Sequence, residues 1–327
     1  MSTWLELRSN SDGWTLVDHG RLRELRELLD DPLNQRPATS LFLGGATKST
    51  ALKSIFPHSN TQRRCSPGIL KLHMIAHSSD PPRPILVFEG NHHVSPRSLK
   101  TSPASARHIR CVENQSYDAT RNKILSCAIC PFVHTIYMFV DDLGGIDEVQ
   151  KILWSWLTDI AHRYEPFAAR PVLVLVMTKN ERAAKPTVLD YQLQSSLLEK
   201  MISGLVTLDL TGRQSLSPCA RFQPLQSIFF DDAQAGLDLH DAEKELFSMI
   251  HLESLLKKAL LHITQQPDTI FSPVHAAREE NPVPAGAMRH LRQFISSTKT
   301  ALSQETQAHF IANALLMDAY PPNMHCS

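Results

Sequence analysis

The sequence predicts an α/β fold, a mostly parallel sheet flanked by helices with a helical C-terminal extension. Three observations carry this. Short apolar runs alternate with helical segments from Ser40 onward, the rhythm of strands joined by helical crossovers. Pro171 to Met177 (PVLVLVM) is continuously apolar, as in a parallel strand covered on both faces. Leu41-Phe42-Leu43 runs into Gly44-Gly45 and then Lys48-Ser49-Thr50, a strand, a glycine turn and a helix start.

Taken in order, Arg21 to Asp30 (RLRELRELLD) places leucines at 22, 25, 28 and 29, one helical stripe, before Pro32 and Pro37 break the chain. Residues 1–38 thus read as a helical extension. Strands are expected at 41–43, at 69–76 (ILKLHMIA) and at 84–88 (PILVF). Residues 95–106, rich in Ser, Pro, Lys and Arg, read as a loop. Residues 117–130 read as a helix stopped by Pro131, and 135–140 (TIYMFV) as a strand ending in Asp141-Asp142-Leu143-Gly144-Gly145. Residues 146–163 form an amphipathic helix with Val149, Ile152, Leu153, Trp156, Leu157 and Ile160 inward. A helix over 191–202 and a strand over 205–210 follow, and after about residue 220 the pattern turns helical, with one or two helices over 242–263 closing a domain of residues 39–265. Residues 266–327 are a linker punctuated by Pro267, Pro273, Pro282 and Pro284, with helices over 288–297 and 304–320.

The 327 residues carry 33 basic and 33 acidic side chains, so no broad electrostatic footprint for nucleic acid or an anionic membrane is expected. No stretch reaches the roughly 20 apolar residues that span a bilayer. The first ten residues lack the apolar core of a secretory signal, and six scattered cysteines read as reduced thiols, so a cytoplasmic location is expected.

The strand–turn–helix at 41–55 has the outline of a phosphate-binding P-loop. Backbone N–H groups of the turn and helix start would surround phosphate oxygens. Gly44, Gly45, Thr47 and Thr50 would shape the loop, Lys48 would neutralise phosphate charge, and Ser49 would offer its hydroxyl to Mg²⁺. Two details are eroded. Thr47 stands where glycine is expected before the lysine, and Phe42 stands where the first glycine belongs, so the loop is shortened by about two residues. Further along, Glu89-Gly90 follows the third strand, and Asp141 and Asp142 end the fourth, where a carboxylate, Asp141 foremost, could reach Mg²⁺ through water. The alternative is that Asp-Asp-Leu-Gly-Gly is a plain strand-to-helix turn. Thr178-Lys179-Asn180-Glu181 follows the PVLVLVM strand where a GTPase places Asn/Thr-Lys-x-Asp, whose lysine and carboxylate hold guanine; Glu181 adds a methylene to that carboxylate, and the alternative is a solvated polar turn.

Cys127-Ala128-Ile129-Cys130 with His134 forms half a zinc pattern without a second pair, and reads as core thiols. No HExxH and no GxSxG occurs, so neither a metallo-hydrolase nor a lipase is indicated. Trp4, Trp14, Trp154 and Trp156 read as packing residues.

The runs Leu41–Ile55, Tyr137–Trp156 (YMFVDDLGGIDEVQKILWSW), Phe247–Leu260, Asn281–Pro284 and Asn313–His325 together resemble the N-terminal NTPase-like region of large fungal multidomain proteins, where it precedes a patatin-like phospholipase domain. The resemblance covers residues 35–325. It implies a GTPase-like module that senses nucleotide or self-associates beside an effector domain. The expectation is a degenerate P-loop nucleotide-binding or regulatory module, with GTP, GDP or ATP and Mg²⁺ as candidate ligands and inefficient hydrolysis. Two alternatives stand beside it. One is a slow GTPase or ATPase. The other is an accessory protein, or a relic of the larger protein, acting on a partner through its C-terminal helices.

Overall fold

The computed structural model describes residues 3–10, 13–57, 69–76, 84–91, 97–98, 106–111, 116–163, 171–178, 204–243, 247–266, 269, 271–272, 276, 286–299 and 301–319. They form an α/β fold on one mixed sheet. In chain order the elements are β1 (Thr3–Asn10), β2 (Gly13–Asp18), α1 (Arg21–Arg26), β3 (Ala38–Gly44), α2 (Ala46–Ile55), β4 (Leu70–Ala76), β5 (Pro84–Asn91), β6 (Arg97–Ser98) and β7 (Arg107–Arg110). Then come α3 (Tyr117–Lys123), β8 (Thr135–Phe139), α4 (Val140–Leu143), α5 (Ile146–Arg163), β9 (Val172–Met177), β10 (Gly204–Asp209), α6 (Pro218–Glu243), α7 (Met249–Gln265), α8 (Ala287–Thr298) and α9 (Gln304–Ala319).

The sheet runs β10-β9-β8-β3-β5-β4-β1-β2-β7, with β6 also on β1. From β10 to β5 neighbours are parallel, and from β5 to β7 each pair is antiparallel. Within the parallel half, β3, β5, β8 and β9 are buried on both sides because their residues alternate between two apolar layers, whereas the edge strand β10 is partly exposed. Leu41, Leu43, Leu86, Phe88, Ile136, Met138, Leu173 and Leu175 face α5 and α7, packing on Val149, Leu153, Trp156, Leu252 and Leu256. Phe42, Val87, Tyr137, Phe139, Val174 and Val176 face α2 and α6, packing on Leu52, Ile55, Phe222, Leu225 and Phe229. The register sets Phe42 opposite Tyr137, with the rings stacked 4.4 Å apart.

The order of connections positions the site. After β3 the chain builds β4 and β5 on one side, then crosses to place β8 on the other. The crossover direction therefore reverses at β3. In an open α/β sheet, the crevice beyond the carboxyl ends of the strands at such a reversal is where ligands bind. Here it lies between Gly44 at the end of β3 and Phe139 at the end of β8.

Several expectations are revised. Residues 1–38 supply not only a helix, which ends at Arg26, but also the β1–β2 hairpin of the sheet. The helix expected over 117–130 changes its winding: α3 continues as a π-helix at Ile124–Ile129 and a 3₁₀ turn at Cys130–Phe132, which absorbs Pro131. The helical region expected after about residue 220 does begin there, at Pro218, but the stretch expected as helix over 242–263 is divided, α6 ending at Glu243 and α7 opening at Met249. The helix expected over 191–202 and the four linker prolines lie outside the described residues. Among the described residues, no helix is long and apolar enough to cross a membrane.

Candidate functional site: an anion nest closed by Asp142

The connection between β3 and α2 is one residue, Gly45. The strand keeps its apolar register to Leu43, and Gly44 lets three neighbours close in. A Cβ there would stand 3.0 Å from each of Asp142 Oδ2, Lys48 Cβ and Phe139 Cβ. The shortening expected from the sequence is thus carried to the point where no free loop remains. Thr47, placed where glycine was expected, sits inside the first turn of α2 and makes no unusual backbone demand.

The first N–H groups of a helix have no partner within it and need an acceptor. In α2 they converge on one carboxylate. Gly45 and Lys48 donate their backbone N–H groups to Asp142 Oδ2, both at 2.8 Å, and Thr47 donates its own to Asp142 Oδ1 at 3.1 Å. This is the arrangement by which such a turn receives a phosphate, with the anion supplied by the protein. Burial acts to raise the Asp142 pKa. The N–H groups of Lys48 and Gly45, and the hydroxyl and N–H of Thr47, outweigh it and hold the carboxyl below its ordinary range.

Lys48 is fully buried and points away from the nest. Its Nζ donates to the Gly90 carbonyl at 2.7 Å and to Asn91 Oδ1 at 2.6 Å, and pairs with Glu89 Oε1 at 3.2 Å. Burial lowers its pKa, and the Glu89 charge opposes that only in part. Glu89 also meets Lys71 Nζ at 3.6 Å and His73 Nε2 at 3.2 Å from β4. Burial would raise Glu89, but the His73 hydrogen bond and the charges of Lys48 and Lys71 prevail and bring it to about 2.

That shift has a definite sign. Glu89 is held below its unfolded value of 4.5, so its contribution is complete above pH 4.5 and is lost as pH falls through about 2. The difference corresponds to about 3 kcal/mol, and Asp142 acts in the same direction. Urea unfolding between pH 6 and 2 is expected to show this loss, with a flatter profile for Glu89→Gln.

The remaining expected residues are committed elsewhere. The Ser49 hydroxyl donates to the Gly45 carbonyl at 2.9 Å and that of Thr50 to the Ala46 carbonyl at 3.0 Å, both at the start of α2. Asp141 accepts from the Thr178 N–H at 2.6 Å and the Thr178 hydroxyl at 2.5 Å, joining the ends of β8 and β9. Gly44 to Thr50, Asp141 and Thr178 therefore share the carboxyl edge of the sheet. Among the described residues, no group of three or more His, Cys, Asp or Glu could hold a metal ion. Lys179 and Glu181 lie outside the described residues.

The two cysteines of the half zinc pattern are buried in the core, and burial pushes Cys127 up to about 12 and Cys130 well above its ordinary value. His134 faces Thr39, whose N–H lies 2.9 Å from Nδ1. A cavity of about 20 Å³ beside His134, lined also by Pro37, Phe132 and Leu252, lies at the opposite end of β3 and has room for no more than a water.

Sequence reasoning gave Asp142, beside Asp141, only a reach to Mg²⁺ through water or a place in a turn, and missed Lys71 and His73 altogether. The latter two had a signal: alternate polar residues in the otherwise apolar ILKLHMIA strand. The chain matches no family model, and no curated protein matches it.

Proposed function

We propose that the chain is a degenerate P-loop, GTPase-like module with a regulatory or scaffolding role and without efficient hydrolysis. One observation carries the reading. The Asp142 carboxylate accepts three backbone N–H bonds in the nest between β3 and α2, at the crevice where the sheet topology reverses. The lysine that would meet a phosphate is bound instead to Glu89, Gly90 and Asn91, and the hydroxyl that would meet Mg²⁺ is bound to the Gly45 carbonyl. A nucleotide must displace an internal anion and extract a buried ammonium before it binds. The scaffolding role is supported by α8 and α9, where Met288, Ile295 and Phe310 are exposed and suited to a protein partner.

A second reading, a slow GTPase or ATPase, is favoured by the convergence of the three N–H groups, which would serve a phosphate equally well. Isothermal titration with GTP, GDP and ATP in Mg²⁺, beside phosphate release from the wild type and Lys48→Ala, separates the two. The regulatory reading expects no heat at millimolar nucleotide and no release that depends on Lys48. Micromolar binding with release abolished in Lys48→Ala would establish the enzyme.

A further inference from the structure

Asp141 and Asp142 are neighbours on α4, yet their carboxylates hold different strand ends. Asp142 takes the N–H groups of Gly45, Thr47 and Lys48 beyond β3, and Asp141 takes the N–H and hydroxyl of Thr178 beyond β9. The Thr178 carbonyl in turn accepts from Gln214 Nε2 at 2.8 Å and from Arg221 Nη2 at 3.1 Å, the latter in the first turn of α6. α4 is a four-residue turn, closed by Gly144 and Gly145 with φ of 98° and 100°, which only glycine adopts readily. A helix this short does not hold itself in place. Its position is fixed by the two carboxylates together with buried Val140 and Leu143.

We infer that α4 is a two-ended clamp, through which the filling of the nest by Asp142 is coupled to the Asp141–Thr178–Arg221 anchor on the other side of β8. Release of Asp142 frees the turn to pivot at Gly144–Gly145 and draws Asp141 off Thr178. Loss of the anchor loosens Asp142 in the nest by the same amount, since coupling between two sites is reciprocal. The inference names the regulation of the site in the proposed function. It rests on that reading only in taking the nest as the regulated site, so its test uses no nucleotide and stands whether or not nucleotide binds.

The experiment is amide hydrogen exchange on the full chain, reading Lys48 at the nest, Thr178 at the anchor and Phe88 in the sheet centre as the control. Asp142→Ala is expected to speed exchange at Thr178 roughly tenfold, although the Asp141 acceptor is untouched, and Asp141→Ala to speed exchange at Lys48 by a similar factor. Asp142→Asn keeps an acceptor oxygen and is expected to give a smaller change in the same direction. It makes the same comparison if the alanine variant does not fold. Each substitution speeding exchange only at its own end would overturn the clamp. Phe88 exchanges through global unfolding, so a rise there reports only the variant's loss of stability; an opening free energy at the far end no lower than that of Phe88 in the same variant would overturn the clamp too, by showing global unfolding in place of coupling.

Discussion

Glu89→Gln is expected to lower the unfolding free energy by about 3–5 kcal/mol, and Lys48→Met by distinctly less. The asymmetry follows from the buried cluster. Removing the Glu89 charge leaves Lys48, fully buried, and Lys71, nearly so, without the carboxylate they share. Breaking a buried pair from one side, so that a charge remains uncompensated, is among the costliest single changes. Removing the Lys48 charge leaves Glu89 with Lys71 and His73, and methionine fills most of the lysine's volume with an apolar stem. Denaturant unfolding at pH 7 measures both.

The second large effect concerns the nest. Asp142→Ala is expected to cost about 1.5–3 kcal/mol, because three N–H groups lose a charged acceptor at the start of α2. The same substitution vacates the anion position. Pyrophosphate and nucleotide are therefore expected to bind the variant at least roughly tenfold more tightly than the wild type, since about 1.4 kcal/mol of competition is worth that factor. Titration calorimetry with Mg²⁺-pyrophosphate on both proteins measures it, and comparison of ligand-free unfolding gives the stability cost. A variant that loses stability without gaining affinity would reduce Asp142 to a helix cap.

Much of the parallel half of the sheet could be read from the chain, for a physical reason. PVLVLVM and TIYMFV are buried on both faces, so their apolar runs are continuous, and the helix at 146–163 buries one stripe, so its period shows. The β1–β2 hairpin escaped notice because its strands mix Glu6, Arg8 and Thr15 with Trp4, Leu5 and Leu16. These polar residues are buried, as in the Glu6–Arg8 pair at 2.7 Å, so no clean alternation survives. The glycines and lysine at 44–48 marked the place of the candidate site. Its content was hidden, because the acceptor in the nest comes from more than ninety residues away, and a lone Asp-Asp after a strand equally describes a turn. The partner of Lys48 was half visible in Glu89-Gly90, while its counterparts on β4 are defined only once β4 pairs antiparallel with β5.

The central claim is that Asp142 occupies the nest of the wild-type protein in solution. The most direct measurement is an NMR titration following the Asp142 carboxyl carbon together with the backbone amides of Gly45, Thr47 and Lys48. The predicted result is one shared midpoint below the usual range for aspartate, with the three amides unmoved by millimolar Mg²⁺-GTP at neutral pH. An Asp142 carboxyl that titrates at its ordinary value without moving those amides, or amides that shift on adding nucleotide to the wild type, would contradict it.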